Sequence, residues 1–322
     1  MAVYTQVSYD EAGLLLQRLQ LGQLQSMEGC SGGIENTNYF VTTDSGAYVL
    51  TLFERLSAAQ LPFYLRLMKH LARDSIPVPE PAADASGSLM YTVNGKPATV
   101  VNRLRGKSEL SPQREHCASV GAWLAKMHLA GQRFDMQQPN LRGLTWWNDT
   151  VPVILPHLEA SQQSLILSEL AYQNHVAELS IYAALPRGPI HADLFRDNVM
   201  FAPSFSDGDS RLEMTGFFDF YFAGVDAWVF DLAVCLNDWC VDLVTGAPDL
   251  ARTQAFVGAY EAVRALTLAE RHSLPAMLRA AALRFWISRL WDLHLPREAS
   301  VLTAHDPAHF ERVLRQRLRF AA

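Results

Sequence analysis

Residues 188–201 read GPIHADLFRDNVMF, and within them His191, Asp193, Arg196, Asp197 and Asn198 fall inside eight positions of an otherwise apolar stretch. An apolar run breaks into His-x-Asp-x-x-x-x-Asn, resumes, and a further carboxylate, Asp219, follows between aromatic residues in FFDF. Two short strands flanking a polar loop put Asp193, Asn198 and Asp219 near one point. Carboxylate and amide oxygens suit a hard divalent cation such as magnesium. A carboxylate that is not a ligand can orient an attacking hydroxyl and accept its proton. Phosphoryl transfer needs this set, because it depends on positioning and on neutralising charge.

A phosphate donor also needs a backbone cradle. EGCSGGIENTN, residues 28–38, offers a glycine-rich turn in which Gly29, Gly32 and Gly33 let amides approach phosphate. Singly, each piece is common. Such a turn is most often only a turn, and His191 alone is equally a satisfied buried histidine or part of a His/Asp metal site. The full order is far more specific: H-x-D-x-x-x-x-N, a short hairpin and an aromatic-flanked Asp, all after a β-rich half with a glycine turn.

The elements that must position these residues divide the chain at about residue 103. Before it, a helix from about Tyr9 to Gln20 precedes strand-like runs in LQSMEGC, ENTNYFVTT and GAYVLTLFE, the last two joined by Asp44-Ser45-Gly46. Leu61, Tyr64, Leu65, Met68 and Leu71 have the spacing of an amphipathic helix, with Ser57 as its expected cap. Asn94-Gly95 turns a second hairpin. Residues 1–103 therefore read as a small antiparallel sheet with one main helix. Residues 104–322 read as mostly helical, entered through VNRLRGKSEL, with strand pattern only around the opening motif. Ser111 and Asp306 are expected helix caps, and the arginine-rich C-terminal helix a solvated one.

With 322 residues and 49% hydrophobic side chains, two packed units are expected. A net charge of −6 and the lack of a basic tract argue against a nucleic-acid partner. Four cysteines without a C-x-x-C pair suit a reducing compartment. With neither a signal-peptide pattern nor a long apolar run, a cytoplasmic protein without a membrane partner is expected.

The motifs as a set resemble the protein-kinase-like superfamily, in its aminoglycoside phosphotransferase and choline kinase branch. HADLFRDNVMF resembles the catalytic loop, FFDF the metal-binding motif and GVDAWVFDLA the segment after it. GGIENTNYFVTTDSGAYVLTLFE, IPVPEP, LTWWND and FDFYFAGVDAWVFDLAVCLNDW are similar to the bacterial homoserine kinases of that branch. The resemblance implies a two-lobed α+β fold with an antiparallel N-lobe and a helical C-lobe. It also implies ATP and Mg2+ as cofactors and L-homoserine as the small-molecule substrate. On it, Asp193 is the catalytic base and His191 braces the loop with Asp231. Asn198 and Asp219 hold magnesium. Gly29, Ser31, Gly32, Gly33 and Asn36 face the phosphates, and Asn102, Arg103 and Leu104 the adenine.

One departure stands out. Relatives of the wider superfamily carry a cation on the third strand paired with a glutamate on the next helix. Here Thr51 occupies the strand position, and the helix offers Arg66 but no glutamate; Arg55 or a backbone amide is the candidate replacement, the alternative being reliance on magnesium alone. For the substrate, Arg196 is expected to take the carboxylate and Asp238 the ammonium, with Trp239 and Trp146 walling the cleft. Two readings compete. A choline or ethanolamine kinase would use Trp146, Trp147 and Trp239 as an aromatic cage, and a nucleotide-binding pseudokinase is suggested by Thr51.

Overall fold

The computed structural model describes residues 4–30, 36–206, 209–295 and 305–319. The chain forms two compact units. One comprises Met1–Gly106 with Thr215–Phe218, and the other Lys107–Met214 with Asp219–Ala322.

In the first unit, α1 (Tyr9–Arg18) is followed by β1 (Leu24–Gly29), β2 (Asn36–Thr43), β3 (Ala47–Phe53), α2 (Pro62–Arg73), β4 (Tyr91–Val93) and β5 (Lys96–Asn102). The five strands make one antiparallel sheet in the order β1-β2-β3-β5-β4. Ser8 and Glu11 close a capping box that starts α1. Alternation in β2 sends Thr37, Tyr39, Val41 and Thr43 inward. Tyr39 and Val41 pack with Leu50, Leu52 and Val100 under Ala12, Leu15 and Leu16 of α1. Asn94 and Gly95 both have positive φ, as the tight β4–β5 hairpin turn requires. Ser57 does not cap α2. It pairs with Gln60 in a separate turn, and Pro62, which lacks an N–H and fits only a first turn, sets the start. Thr215–Phe218 joins this unit because the Phe217 N–H donates to the Pro77 carbonyl at 3.0 Å.

The second unit carries α3 (Arg114–Gly131), α4 (Leu144–Ile154), α5 (Ala160–Glu178), the single turn α6 (Ser180–Ala183), β6 (Arg187–Ile190) and the hairpin β7–β8 (Val199–Ser206, Asp209–Phe217). After these come β9 (Gly224–Ala227), α7 (Trp228–Trp239), α8 (Leu250–Val263), α9 (Leu268–His294) and α10 (Ala308–Arg319). β6 pairs antiparallel with β9, so the loop 191–198 leaves the end of a short two-stranded ladder. Every residue of α7 is buried, including Asp231, Asn237 and Asp238. Gly121 of α3 lets α8 approach at backbone distance: a Cβ there would stand 2.2 Å from the Phe256 carbonyl oxygen.

Two cap expectations separate. Asp306 accepts the Ala308 N–H at the start of α10. Ser111 is not the cap of α3, which begins after Gln113 with a capping box to His116. Nor is α10 a solvated helix. Phe310, Val313 and Leu314 are fully buried, because the apolar positions between its arginines form one stripe. Among the described residues, no helix is long and apolar enough to cross a membrane.

Candidate active site

The loop 191–198 is held by the side chains of α7. Asp231, fully buried, accepts the N–H groups of His191 and Ala192, each at 2.8 Å. Ala192 has φ +64°, a left-handed conformation costly for a residue with a Cβ, and this pair of bonds helps hold it. Burial raises the Asp231 carboxyl. The hydrogen bond of His128 and the His191 N–H outweigh that, and the group stays below the usual carboxylate range. His128 Nε2 lies 3.1 Å from Asp231, and its Nδ1 2.8 Å from the Tyr260 hydroxyl. Burial pushes this imidazole down against the carboxylate's pull, so it is neutral, with Nε2–H donating to Asp231 and Nδ1 accepting from Tyr260. Arg264 then donates to Tyr260 and to Glu270, which extends the chain of bonds to the start of α9.

The far end of the loop is gripped similarly. Asp238 accepts the Arg196 N–H at 2.8 Å and its Nε–H at 3.1 Å. Arg196 also donates to the Asp238 and Leu110 carbonyls, and Trp239 Nε1 donates to the Leu194 carbonyl at 2.9 Å. These contacts give the three residues expected at the substrate a bracing part. Arg196 and Asp238 are buried and satisfy each other, and Trp239 is fully buried and braces the loop. The reason is geometric: the loop bends back on α7, so Arg196 points into the unit. Trp147 is buried too, with its Nε1 on the Arg142 carbonyl. Of the three tryptophans only Trp146 is half-buried, and a cage built from all three does not exist. Trp146 carries the Arg142 guanidinium 4.4 Å over its ring.

Asp193 sits between the two grips. Its N–H meets His191 Nδ1 at 3.3 Å, and its carbonyl accepts the Phe195 N–H and the Asn198 side-chain amide. His191 thus stands behind the loop, its ring 4.5 Å from Phe220. The half-buried Asp193 carboxyl is pushed well above the usual range by burial. Arg284 opposes the shift, and Asp219, Asp197 and Asp238 add to it. A carboxylate whose pKa is raised is a stronger base. Asp219 has φ +70° where the chain turns from β8 into Phe220–Phe222. Because Asn198 donates through Nδ2, its Oδ1 is turned away from the Asp193 carbonyl. Asn198 and Asp219 carry an amide and a carboxylate oxygen. These are the donor types that magnesium takes beside waters and phosphate oxygens, and no cluster of three His, Cys, Asp or Glu that could hold a metal exists among the described residues.

The expected nucleotide residues lie in the first unit. Gly29 ends β1 opposite Tyr39, and Asn36 begins β2 opposite Phe53. Ser31, Gly32 and Gly33 lie outside the described residues. Asn102 accepts the Glu80 N–H through Oδ1. The Arg103 N–H is committed to the Ala47 carbonyl and its guanidinium stacks 3.8 Å over Phe40, while Leu104 packs against Gly216. Thr51 is buried on β3 opposite Asn38 and Thr99, and its hydroxyl donates to Asn38 Oδ1 at 2.7 Å. Arg66 and Arg55 are both exposed.

Two features escape a reading of the sequence. His128 is one, visible only as a histidine among the apolar positions of α3. Arg284 is the other, a charged residue in RAAALRFWISRL, at the spacing of Ala280, Ala281 and Ile287 on the buried face of α9.

Residues 26–266 match the model of the phosphotransferase enzyme family. A homoserine kinase of Polaromonas naphthalenivorans (strain CJ2) is 63% identical over 99% of this chain and 98% of its own length. One of Paraburkholderia xenovorans (strain LB400) is 54% identical over 99% and 96%. Among solved structures, an amicoumacin kinase in complex with AMP-PNP, Ca2+ and Ami superposes with a TM-score of 0.66 at 17% identity, over 97% of this chain and 93% of that one. That likeness carries the two-lobed protein-kinase-like fold, an antiparallel sheet in one lobe and helices in the other. Identity above one half along nearly the whole length carries more: the chain belongs to the homoserine kinases of the phosphotransferase enzyme family.

Proposed function

We propose that the protein transfers the γ-phosphoryl group of ATP to the side-chain hydroxyl of L-homoserine, giving O-phospho-L-homoserine for threonine biosynthesis. The observation that carries the reading is the full-length similarity to homoserine kinases, joined to a carboxylate of raised pKa at Asp193 on a braced loop. In the proposed reaction Asp193 accepts the hydroxyl proton. The oxygen forms a bond to the γ-phosphorus, and the bond to the β,γ-bridging oxygen breaks to release ADP. Asn198 and Asp219 would hold Mg2+, which neutralises phosphate charge when bound. His191 and Asp231 keep the loop backbone in place. The phosphates are assigned to the glycine-rich turn from Gly29 to Asn36, and the adenine to Asn102–Leu104. The proposed setting is the cytoplasm, with a small-molecule acceptor and no nucleic-acid or membrane partner; the net charge of −6 supports the absence of a polyanionic partner.

The burial of Trp147 and Trp239 argues against choline, since a quaternary ammonium needs exposed aromatic faces. Retention of Asp193, Asn198 and Asp219 argues against a pseudokinase. Magnesium-dependent ADP release measured over L-homoserine, choline, ethanolamine and an aminoglycoside tests the reading. L-homoserine should be strongly preferred; equal turnover of choline would overturn the substrate, and no turnover of any alcohol the enzyme.

A further inference from the structure

Arg284 of α9 is 3% exposed, and its Nη2 has no hydrogen-bond partner. A buried polar group is almost always satisfied, and an orphan on a cation needs an explanation. Arg312 Nε and Arg317 Nη2 are also without partners, but Arg284 is the leading cation acting on Asp193. Its surroundings point the same way. The guanidinium lies 3.7 Å over the Phe285 ring and 5.1 Å from that of Phe222. Phe285 packs at 4.4 Å on Phe195, two residues after Asp193 in the loop. Arg142 approaches the same half-buried Phe222 at 5.9 Å. Burial and the neighbouring Arg142 and Arg289 push Arg284 down to about 10, with Asp193 and Asp292 opposing, so it is cationic at neutral pH.

We infer that Arg284 is the subsite for the acceptor's α-carboxylate, reached past the Phe222 ring, and so separates an amino-acid alcohol from a plain amino alcohol. The inference rests on L-homoserine being the acceptor. A carboxylate is the complement of a guanidinium fork. In the inferred pose the acceptor's carboxylate lies on Arg284 and its hydroxyl at Asp193, the two side chains being joined through the Phe195–Phe285 contact. Arg196, whose nitrogens serve Asp238 and two backbone carbonyls, is placed to brace rather than to bind.

The test compares L-homoserine with 3-aminopropan-1-ol, the same molecule without its carboxylate, in wild type and Arg284→Met. The ratio of kcat/KM values, homoserine over aminopropanol, should fall at least about 100-fold in the variant, with the KM for ATP unchanged. Should Arg284→Met fail to fold, Arg284→Lys decides: charge is kept and the fork lost, and the ratio should still fall about 10-fold. An unchanged ratio in either folded variant, or a raised KM for ATP without a change in ratio, overturns the subsite alone. A wild type inert toward L-homoserine overturns the reaction and the subsite with it.

Discussion

Asp231 and Asp238 stand seven residues apart on α7 and accept backbone N–H groups from opposite ends of one loop, at His191 and Ala192 and at Arg196. Seven residues are about two helical turns, so both carboxylates face the same side. The loop that carries Asp193 is pinned at both ends by a helix buried all round. Removing the first pin should be costly, because two N–H groups and His128 would lose a buried anion. Asp231→Ala should destabilise the protein by about 3 kcal/mol or more. Urea unfolding checks it; an unchanged midpoint would contradict the brace.

The same group makes a pH prediction. The folded pKa of Asp231 is depressed below its ordinary 3.8. The folded state therefore binds fewer protons than the unfolded one, and the contribution is present above about pH 4 and lost as pH falls through the depressed value. His128, depressed from its ordinary 6.5, has the same sign: its contribution is present above about pH 6.5 and lost on acidification. Melting temperatures between pH 4 and 8 should rise with pH in wild type, and less steeply in His128→Gln. Parallel curves would show that the imidazole does not titrate between the two states.

Asp193→Asn should cut turnover about 10²–10⁴-fold, the range for general base catalysis. The fold and ATP binding should survive, since none of the loop's braces uses that carboxylate. Steady-state rates with calorimetric ATP titration decide it; near-wild-type turnover removes Asp193 from the chemistry.

Arg196→Ala should lower kcat and stability while leaving the KM for L-homoserine close to wild type. It deprives the buried Asp238 of its cation and frees one end of the loop. A selective rise in that KM would return Arg196 to the acceptor site.

Thr51→Ala should leave turnover within a few-fold of wild type and destabilise by about 1 kcal/mol, the worth of one hydroxyl bond to Asn38. A loss of rate comparable to that at Asp193 would give the hydroxyl a catalytic part.

The sequence carried these features unequally. The antiparallel sheet was legible from β-rich alternation and its turn residues, because strand period and turn chemistry are local. Asp193, Asn198 and Asp219 could be grouped for the same reason: one short loop and one hairpin separate them. Arg196, Asp238 and Trp239 could be placed near the loop but not oriented. Spacing does not say whether an arginine faces a cleft or folds back on a helix. Arg284 was out of reach altogether, since its position depends on how α9 packs beside the loop, and an arginine amid alanines reads equally as a surface residue. The start of α2 is set by Pro62 rather than by Ser57, and α3 starts from the Gln113–His116 capping box rather than from Ser111.

The loop's fastenings sit on α7, whereas Arg284 belongs to α9. Chemistry and choice of alcohol are thereby housed on separate helices. Exchanges at Arg284 that spare its neighbour Phe285 can present a different foothold to the acceptor while the base keeps its posture, so descendants of such a scaffold can change diet without relearning how to move a phosphate.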